Sequence, residues 1–400
     1  MPCRTGTPVP TGKGLRGPYF DYPGTRWVYV QWCGPPLAPK QNMYFNWSVL
    51  VPPQTGGKAP TELYFHPNGY SYAQPGKKLL RASVQIAPHE YPASGWYGFN
   101  EAWTTLRSPK SAAVDNHTQK RIMAFLDWAK QELPIDPDRI IAVGSDGAAA
   151  LALNFPETFS YVLITRFDPR GVLNAETAGK FTTAWGSKSP EIQDVEGHGD
   201  WTWADLDKLV EKATAEGKDL PLFACRGPSW GRVEGWGKGR GRFYSAMHKA
   251  GQPLVAHWAW GGRLEAVTPD KWTGLWRGLD VSRSTAVPAF SNCSLDKEGE
   301  GGGNTNLSFL WTNVTDEPNR FEMTITCPEC TFDMTLRRLQ RFRVSPRQRV
   351  RWEATPLPGP HGETAEPQTG QATADEHGIV TIRGLKYPAR VGGLVVNVTR

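Results

Sequence analysis

Four hundred residues with 39% hydrophobic content exceed the usual size of one core, so two are expected. The formal charge of +6 is small for this length, and the 45 Lys and Arg are spread along the chain rather than gathered into a block that tracks a phosphate backbone, which argues against nucleic acid as a partner. No apolar run reaches the roughly 18 to 20 residues of a membrane-crossing helix, so no membrane span is expected.

In chain order, residues 26–33 and 43–51 read as strands around a Gly-Pro-Pro turn and open a sheet. From Thr61 strands alternate with helices. Strands over 62–66 and 83–87 precede a helix within 113–133, where Ile122, Phe125, Leu126, Ala129 and Leu133 share one face and Pro134 ends the run. A buried strand over 139–143 leads straight into Gly144-Ser145-Asp146-Gly147 and an Ala/Leu-rich helix ending near Pro156. Strands follow over 161–164, 220–225 and 254–260, with helices around Leu206, Leu209, Val210 and Ala213 and over 242–250. The alternation predicts an α/β domain over 1–285, a mostly parallel sheet covered by helices on both faces and joined by the strands of 1–60.

Beyond Pro288 the helical period disappears. Phe321, Met323 and Ile325 alternate with Glu322 and Thr324, the period of a half-buried strand. Similar strands over 307–311, 332–336, 341–344, 349–352, 379–382 and 394–398 predict an all-β sandwich over 286–400. Arg341, Arg343, Arg349 and Arg351 alternate with Phe342, Val344, Val350 and Trp352, which predicts one charged hairpin face, solvated or in contact with an acidic polymer or another domain.

A strand, then Gly-X-nucleophile-X-Gly, then a helix forms a nucleophile elbow, because small residues permit the sharp turn and the helix N-terminus favours an anion beside it. The middle of Gly144-Ser145-Asp146-Gly147-Ala148 is Asp146, with Ser145 one place early. Either a carboxylate has taken the nucleophile's place or the turn is shifted by one residue.

The run from Ile135 to Ser145, Ile-Asp-Pro-Asp-Arg-Ile-Ile-Ala-Val-Gly-Ser, with Phe155-Pro-Glu-Thr-Phe159 after it, resembles the secreted esterase group of the α/β-hydrolase superfamily, which includes polyhydroxybutyrate depolymerases and feruloyl esterases. The resemblance spans residues 60–265. It implies an oxyanion loop at His66-Pro67-Asn68-Gly69, an acid after 222–225 and a Gly-Gly-His base after 254–260. This chain has Arg226-Gly-Pro-Ser-Trp230 at the acid position and Gly261-Gly262-Arg263 at the base position. Arginine stays protonated and cannot act as the base.

The resemblance therefore implies a secreted protein of esterase ancestry whose triad is degenerate at Asp146, Trp230 and Arg263, with an Asp146–Arg263 ion pair across the old site. The rival is an active carboxylesterase with Ser145 as nucleophile and His198, in Glu196-Gly-His-Gly-Asp200, as base. A third reading makes Asp146 the nucleophile and still requires a histidine; of the eight present, His198 and His257 lie in segments that can approach.

The six cysteines, Cys3, Cys33, Cys225, Cys293, Cys327 and Cys330, allow three disulfides. Cys327-Pro-Glu-Cys330 has the spacing of half a zinc site but no second Cys or His pair at a suitable distance, so a tight disulfide or a free pair is expected rather than a metal. No cofactor is expected. Asn-X-Ser/Thr at Asn46, Asn116, Asn292, Asn306, Asn313 and Asn397 fits an exported protein, and since Met1-Pro-Cys-Arg4 has no apolar signal core, export implies a signal removed ahead of it. Seventeen Trp point first to core packing and second to aromatic platforms for a polymer, carbohydrate or ester ligand, with a protein partner through the β domain as the other expectation.

Overall fold

Strand β1 (Val9–Lys13) pairs antiparallel with β2 (Thr25–Cys33), and β2 with β3 (Met43–Val51). In β3 the alternate residues Phe45, Trp47 and Val49 turn inward, as the period of a strand requires. The computed structural model describes residues 8–13, 23–53, 57–67, 69–73, 78–144, 146–165, 179–226, 242–259, 281–297 and 302–400. The chain forms two units, Met1–Lys212 and Ala213–Arg400.

In the first unit β4 (Ala59–Tyr64), β5 (Val84–Pro88), the short pair β6 (Phe99–Asn100) and β7 (Val114–Asp115), β8 (Ile135–Gly144) and β9 (Tyr161–Thr165) follow. The strand order is β1-β2-β3-β5-β4-β8-β9. Pairing is antiparallel as far as β5 and parallel from β5 to β9, so the sheet is mixed. Helix α1 (His117–Glu132) buries Ile122, Phe125, Leu126 and Ala129, the stripe its spacing predicts, and Phe125 stacks on Trp47 at 3.8 Å between ring centroids. Helices α2 (Asp146–Asn154), α3 (Thr182–Trp185) and α4 (Leu206–Ala215) complete this part. Tyr97, Phe99, Trp185, Trp201 and Trp203 form their own core, where Trp185 Nε1 donates to Gly98 O at 2.9 Å. Here the tryptophans pack the interior rather than offer a platform.

In the second unit β10 (Leu222–Arg226), helix α5 (Arg242–Lys249) and β11 (Leu254–Ala259) continue the α/β pattern, with β10 and β11 parallel. After β12 (Val287–Ser291), β13 (Gly302–Thr305) joins β11 antiparallel instead of entering the sandwich. Glycine permits this: a Cβ at Gly303 would stand 2.4 Å from the Trp258 ring. The sandwich strands are β14 (Leu310–Glu317), β15 (Arg320–Thr326), β16 (Cys330–Arg337), β17 (Arg349–Leu357), β18 (Gln368–Thr373), β19 (Thr381–Tyr387) and β20 (Gly393–Thr399). They form sheets β12-β16-β19 and β14-β15-β20-β17-β18 around a core that includes Phe290, Phe309, Phe321, Phe332, Leu394 and Val396.

Residues 341–344 are not a strand. The Asp316 carboxylate accepts the backbone N–H groups of Gln340, Arg341 and Phe342 (2.5, 3.2 and 2.6 Å), so a side chain takes the hydrogen bonds a neighbouring strand would need. The charged stripe survives only in β17, where Arg349 and Arg351 are exposed.

No disulfide joins Cys33, Cys225, Cys293, Cys327 and Cys330, so none of the bridges the even count allows is formed among the described residues, and Cys327 and Cys330 are the free pair; Cys3 lies outside the described residues. No helix among the described residues is long and apolar enough to cross a membrane.

Arg337 joins the sandwich to the α/β part of this unit. Its guanidinium donates to Gly251 O (2.7 Å) and Ala250 O, just past α5, and pairs with Asp219 at 3.2 Å. Asp219 also accepts the Arg338 N–H at 3.0 Å. Arg337→Ala strands two carbonyls and a partly exposed carboxylate, and should cost about 2–4 kcal/mol, read as a lower urea midpoint at unchanged slope.

Candidate functional site

The strand-to-helix turn after β8 is tightly packed. Gly144 has φ +148°, and a Cβ there would stand 2.4 Å from Phe65 O, the residue after β4. A Cβ on Gly147 would meet the Trp96 ring at 2.2 Å. Only glycine fits either place. Helix α2 begins at Asp146 and buries Ala148 to Leu153. Ser145, between Gly144 and Asp146, lies outside the described residues.

Trp96 itself has φ +60°, a left-handed backbone uncommon for a bulky residue, and follows Gly95 at φ +62°. The turn sets the indole against Gly147, 4.9 Å from the Phe65 ring and 5.0 Å from the His66 ring. Strain of this kind persists only where surroundings over-determine it. Here they do: Glu90 Oε1 accepts from Ser94 N (2.9 Å) and Ser94 Oγ, and its other oxygen faces Arg121 at 3.6 Å. Arg121 is buried, lies over the Phe45 ring at 3.3 Å and donates to Leu37 O. Burial raises the Glu90 carboxyl pKa and lowers that of Arg121 to about 10, while their mutual attraction opposes both shifts.

The oxyanion-loop candidates divide. His66 Nε2 accepts the Glu90 N–H at 3.1 Å, joining the turns after β4 and β5, and Nδ1 meets Pro67 O at 3.0 Å within its own turn. Burial lowers its pKa. His66 is a latch, not a free base. Gly69 has φ +85° in open space, and Asn68 lies outside the described residues.

His198 has an orienting partner that the sequence reading missed. Its Nδ1 lies 3.2 Å from Oδ2 of Asp194, a buried carboxylate. Asp194 also accepts the backbone N–H groups of Glu196 (3.0 Å) and His198 (2.9 Å) and the Tyr97 hydroxyl (3.4 Å). A buried acid beside Nδ1 orients the imidazole, and Glu196 Oε2 lies 3.7 Å from the same nitrogen. The spacing Asp194-X-X-X-His198 was the available signal. Oxygens of Asp194 and Glu196 and a His198 nitrogen lie within 4.8 Å of one another, but Lys212 Nζ already sits 2.8 Å from Glu196 Oε2, so this cluster has a cation of its own.

His257 lies in β11 with its pKa lowered by burial first and by Arg226 second. Trp230 and Arg263 lie outside the described residues, and so does any Asp146–Arg263 pair.

A mixed sheet with this strand exchange and a glycine-packed elbow after β8 identifies the architecture. The fold is that of an α/β-hydrolase. Among solved structures, the chain is similar to S-formylglutathione hydrolase from Agrobacterium tumefaciens (15% identity, TM-score 0.47, covering 67% of this chain and 99% of that one). It is also similar to the fluorophosphonate-binding serine hydrolase FphF from Staphylococcus aureus (14%, 0.42, 59% and 90%) and to the carboxylesterase EstE1 from a metagenomic library (16%, 0.34, 55% and 75%). No family model and no curated protein matches the chain.

Two predictions follow from this packing. Gly144→Ala should cost about 2 kcal/mol or more, because it adds both strain and a clash with Phe65 O, whereas Gly69→Ala, with positive φ but open space, should cost no more than about 1 kcal/mol; urea midpoints of the pair separate the two terms. The second concerns pH. Burial, then His66 and Arg121, lowers the His89 pKa to about 4, and burial alone brings His248 to about 4. Between that value and the ordinary 6.5 the unfolded chain binds more protons, so stability is full above 6.5 and falls as pH drops toward 4. His89→Gln should flatten that slope in urea titrations taken across the window.

Proposed function

We propose that this is an α/β-hydrolase-fold protein of esterase ancestry that no longer hydrolyses esters and acts by binding or as a structural component. The observation that carries the reading is Asp146 at the start of α2. In this fold the backbone N–H after the nucleophile helps hold the oxyanion, and with the turn shifted by one residue, Ser145 is the nucleophile position and Asp146 supplies that N–H. A carboxylate in the first turn already occupies the positive end of the helix. Like charges repel, by about 4 kcal/mol for two unit charges at a separation of about 4 Å and an effective dielectric near 20, so an anion already at this helix end opposes the charge that forms on the oxyanion.

The sequence adds that Trp230 and Arg263 stand where the resemblance expects the acid and the base. Trp96 against Gly147 supports the reading too, since it puts a buried ring at the mouth of the elbow. The ligand is a polymer, carbohydrate or ester, or the β domain receives a protein partner. A groove of about 440 Å³ on the five-stranded sheet, lined by Arg351, Glu353, Gln371, Asn397 and Thr399, offers hydrogen-bonding groups for this. The protein is exported, in keeping with its Asn-X-Ser/Thr sites.

One observation favours a second reading, an active ester hydrolase with Ser145 as nucleophile. The Asp194–His198 pair gives His198 the tautomer control a general base requires.

Hydrolysis of short-chain aryl esters by the purified chain distinguishes the two. The expected outcome is background turnover for the wild type and for Ser145→Ala, Asp146→Ala and His198→Asn alike. Activity that disappears with both Ser145→Ala and His198→Asn, and rises with Asp146→Ala, overturns the first reading in favour of the second.

A further inference from the structure

Three buried thiols meet at one edge of the sandwich. Cys327 follows β15, Cys330 opens β16 and Cys293 follows β12, and each is between 6% and 9% exposed. Ser294 N donates to Thr331 O at 2.9 Å, and Thr331 N donates to Ser294 Oγ at 3.0 Å, holding the turn that carries Cys293 against the start of β16. Cys330 Sγ lies 3.5 Å from Cys327 Sγ and also shares a hydrogen bond with Cys293. Cys330 is the middle of the three.

That arrangement decides between the two uses of clustered thiols. A thiolate metal centre gathers its sulfurs around one ion, with S–S separations of about 3.8 Å for zinc, whereas both sulfur contacts here are made by Cys330. Thiol–disulfide exchange instead needs an attacking sulfur on one side of a central sulfur and a leaving sulfur on the other. An odd number of thiols also leaves one attacker whichever pair is joined.

We propose that Cys330 is the shared partner of two alternative disulfides, Cys293–Cys330 and Cys327–Cys330, forming an exchange site that takes a low-molecular-weight disulfide as its oxidant. The Cys330 thiolate attacks one sulfur of the small disulfide, forming a mixed disulfide and releasing one small thiolate, which takes up the proton Cys330 gave up. The thiolate of Cys293 or Cys327 then attacks Cys330 Sγ, forming the internal bond and releasing the second small thiol. One small disulfide is reduced to two thiols and two protein thiols become one disulfide. In exchange, the remaining thiolate attacks Cys330 Sγ and the displaced sulfur takes its proton. The Cys293–Cys330 bond ties the turn after β12 to β16, whereas Cys327–Cys330 closes only the turn between β15 and β16.

The hydrogen bond with Cys293 lowers the Cys330 thiol, but the one to Cys327, burial and the Asp296 carboxylate raise it, leaving it at about 12. The reaction is therefore slow at neutral pH and is best run at about pH 9. The full chain is incubated with oxidised glutathione, remaining thiols are blocked with N-ethylmaleimide, and a digest is mapped by mass spectrometry. The expected map contains two linked peptides, both including Cys330, and one blocked thiol among the three positions. Cys293→Ser leaves only Cys327–Cys330, Cys327→Ser leaves only Cys293–Cys330, and Cys330→Ser removes both. A Cys293–Cys327 link with Cys330 blocked, three blocked thiols, or a stoichiometric bound metal that shields all three overturns the proposal. The wild-type map alone decides it, whether or not every variant folds.

Discussion

The architecture of the first unit turns on how closely two pieces of backbone approach at the end of β8. Gly144 lies so near Phe65 O that no side chain fits, and Gly147 lies equally close to Trp96. Those contacts fix the angle at which α2 leaves the sheet and pin the turn after β4 beneath it. The layer above is then determined in sequence: the left-handed turn at Gly95 and Trp96, the Glu90 carboxylate that receives Ser94, and the buried Arg121 that faces Glu90. A buried ion pair is weak evidence of stability by itself. Here its effect is positional, since it holds a strained tryptophan against the elbow.

The same corner shows how charge governs what the elbow can do. A helix N-terminus next to a nucleophile is useful because its dipole is available to an anion that forms only in the transition state. Asp146 places a carboxyl side chain in that first turn. The Asp194–His198 pair has the opposite character, a buried acid orienting a half-exposed imidazole.

Much of this was legible in the sequence, and the parts that were not share a cause. The stripe Ile122, Phe125, Leu126 and Ala129 identifies α1 because helical periodicity is a local property. The elbow is legible for the same reason, as a short apolar strand, two glycines and an Ala-rich helix lie together in the chain. Residues 341–344 have strand periodicity too, but Asp316, more than twenty positions earlier, captures their N–H groups. Likewise β13 belongs to β11 because Gly303 clears Trp258, a match between distant residues. His66 was legible as part of a loop after a strand, yet its use as a latch depends on Glu90 across the sheet. Local pattern finds elements, and the partners of polar groups decide their roles.

This distinction bears on how a catalytic motif should be read. The glycines of the elbow meet a packing demand, and that demand remains whether or not a base and an acid face the nucleophile. Replacing Gly144 costs folding energy, whereas replacing a base costs only turnover. Selection on stability alone therefore preserves strand, glycines and helix after the chemistry is gone, and the elbow testifies to the fold rather than to the reaction. What testifies to the reaction is the set of groups that carry charge at the moment of bond change. Among the described residues Asp146 stands at the start of α2 and Asp194 holds His198, and their electrostatics rather than the motif bear on the reaction.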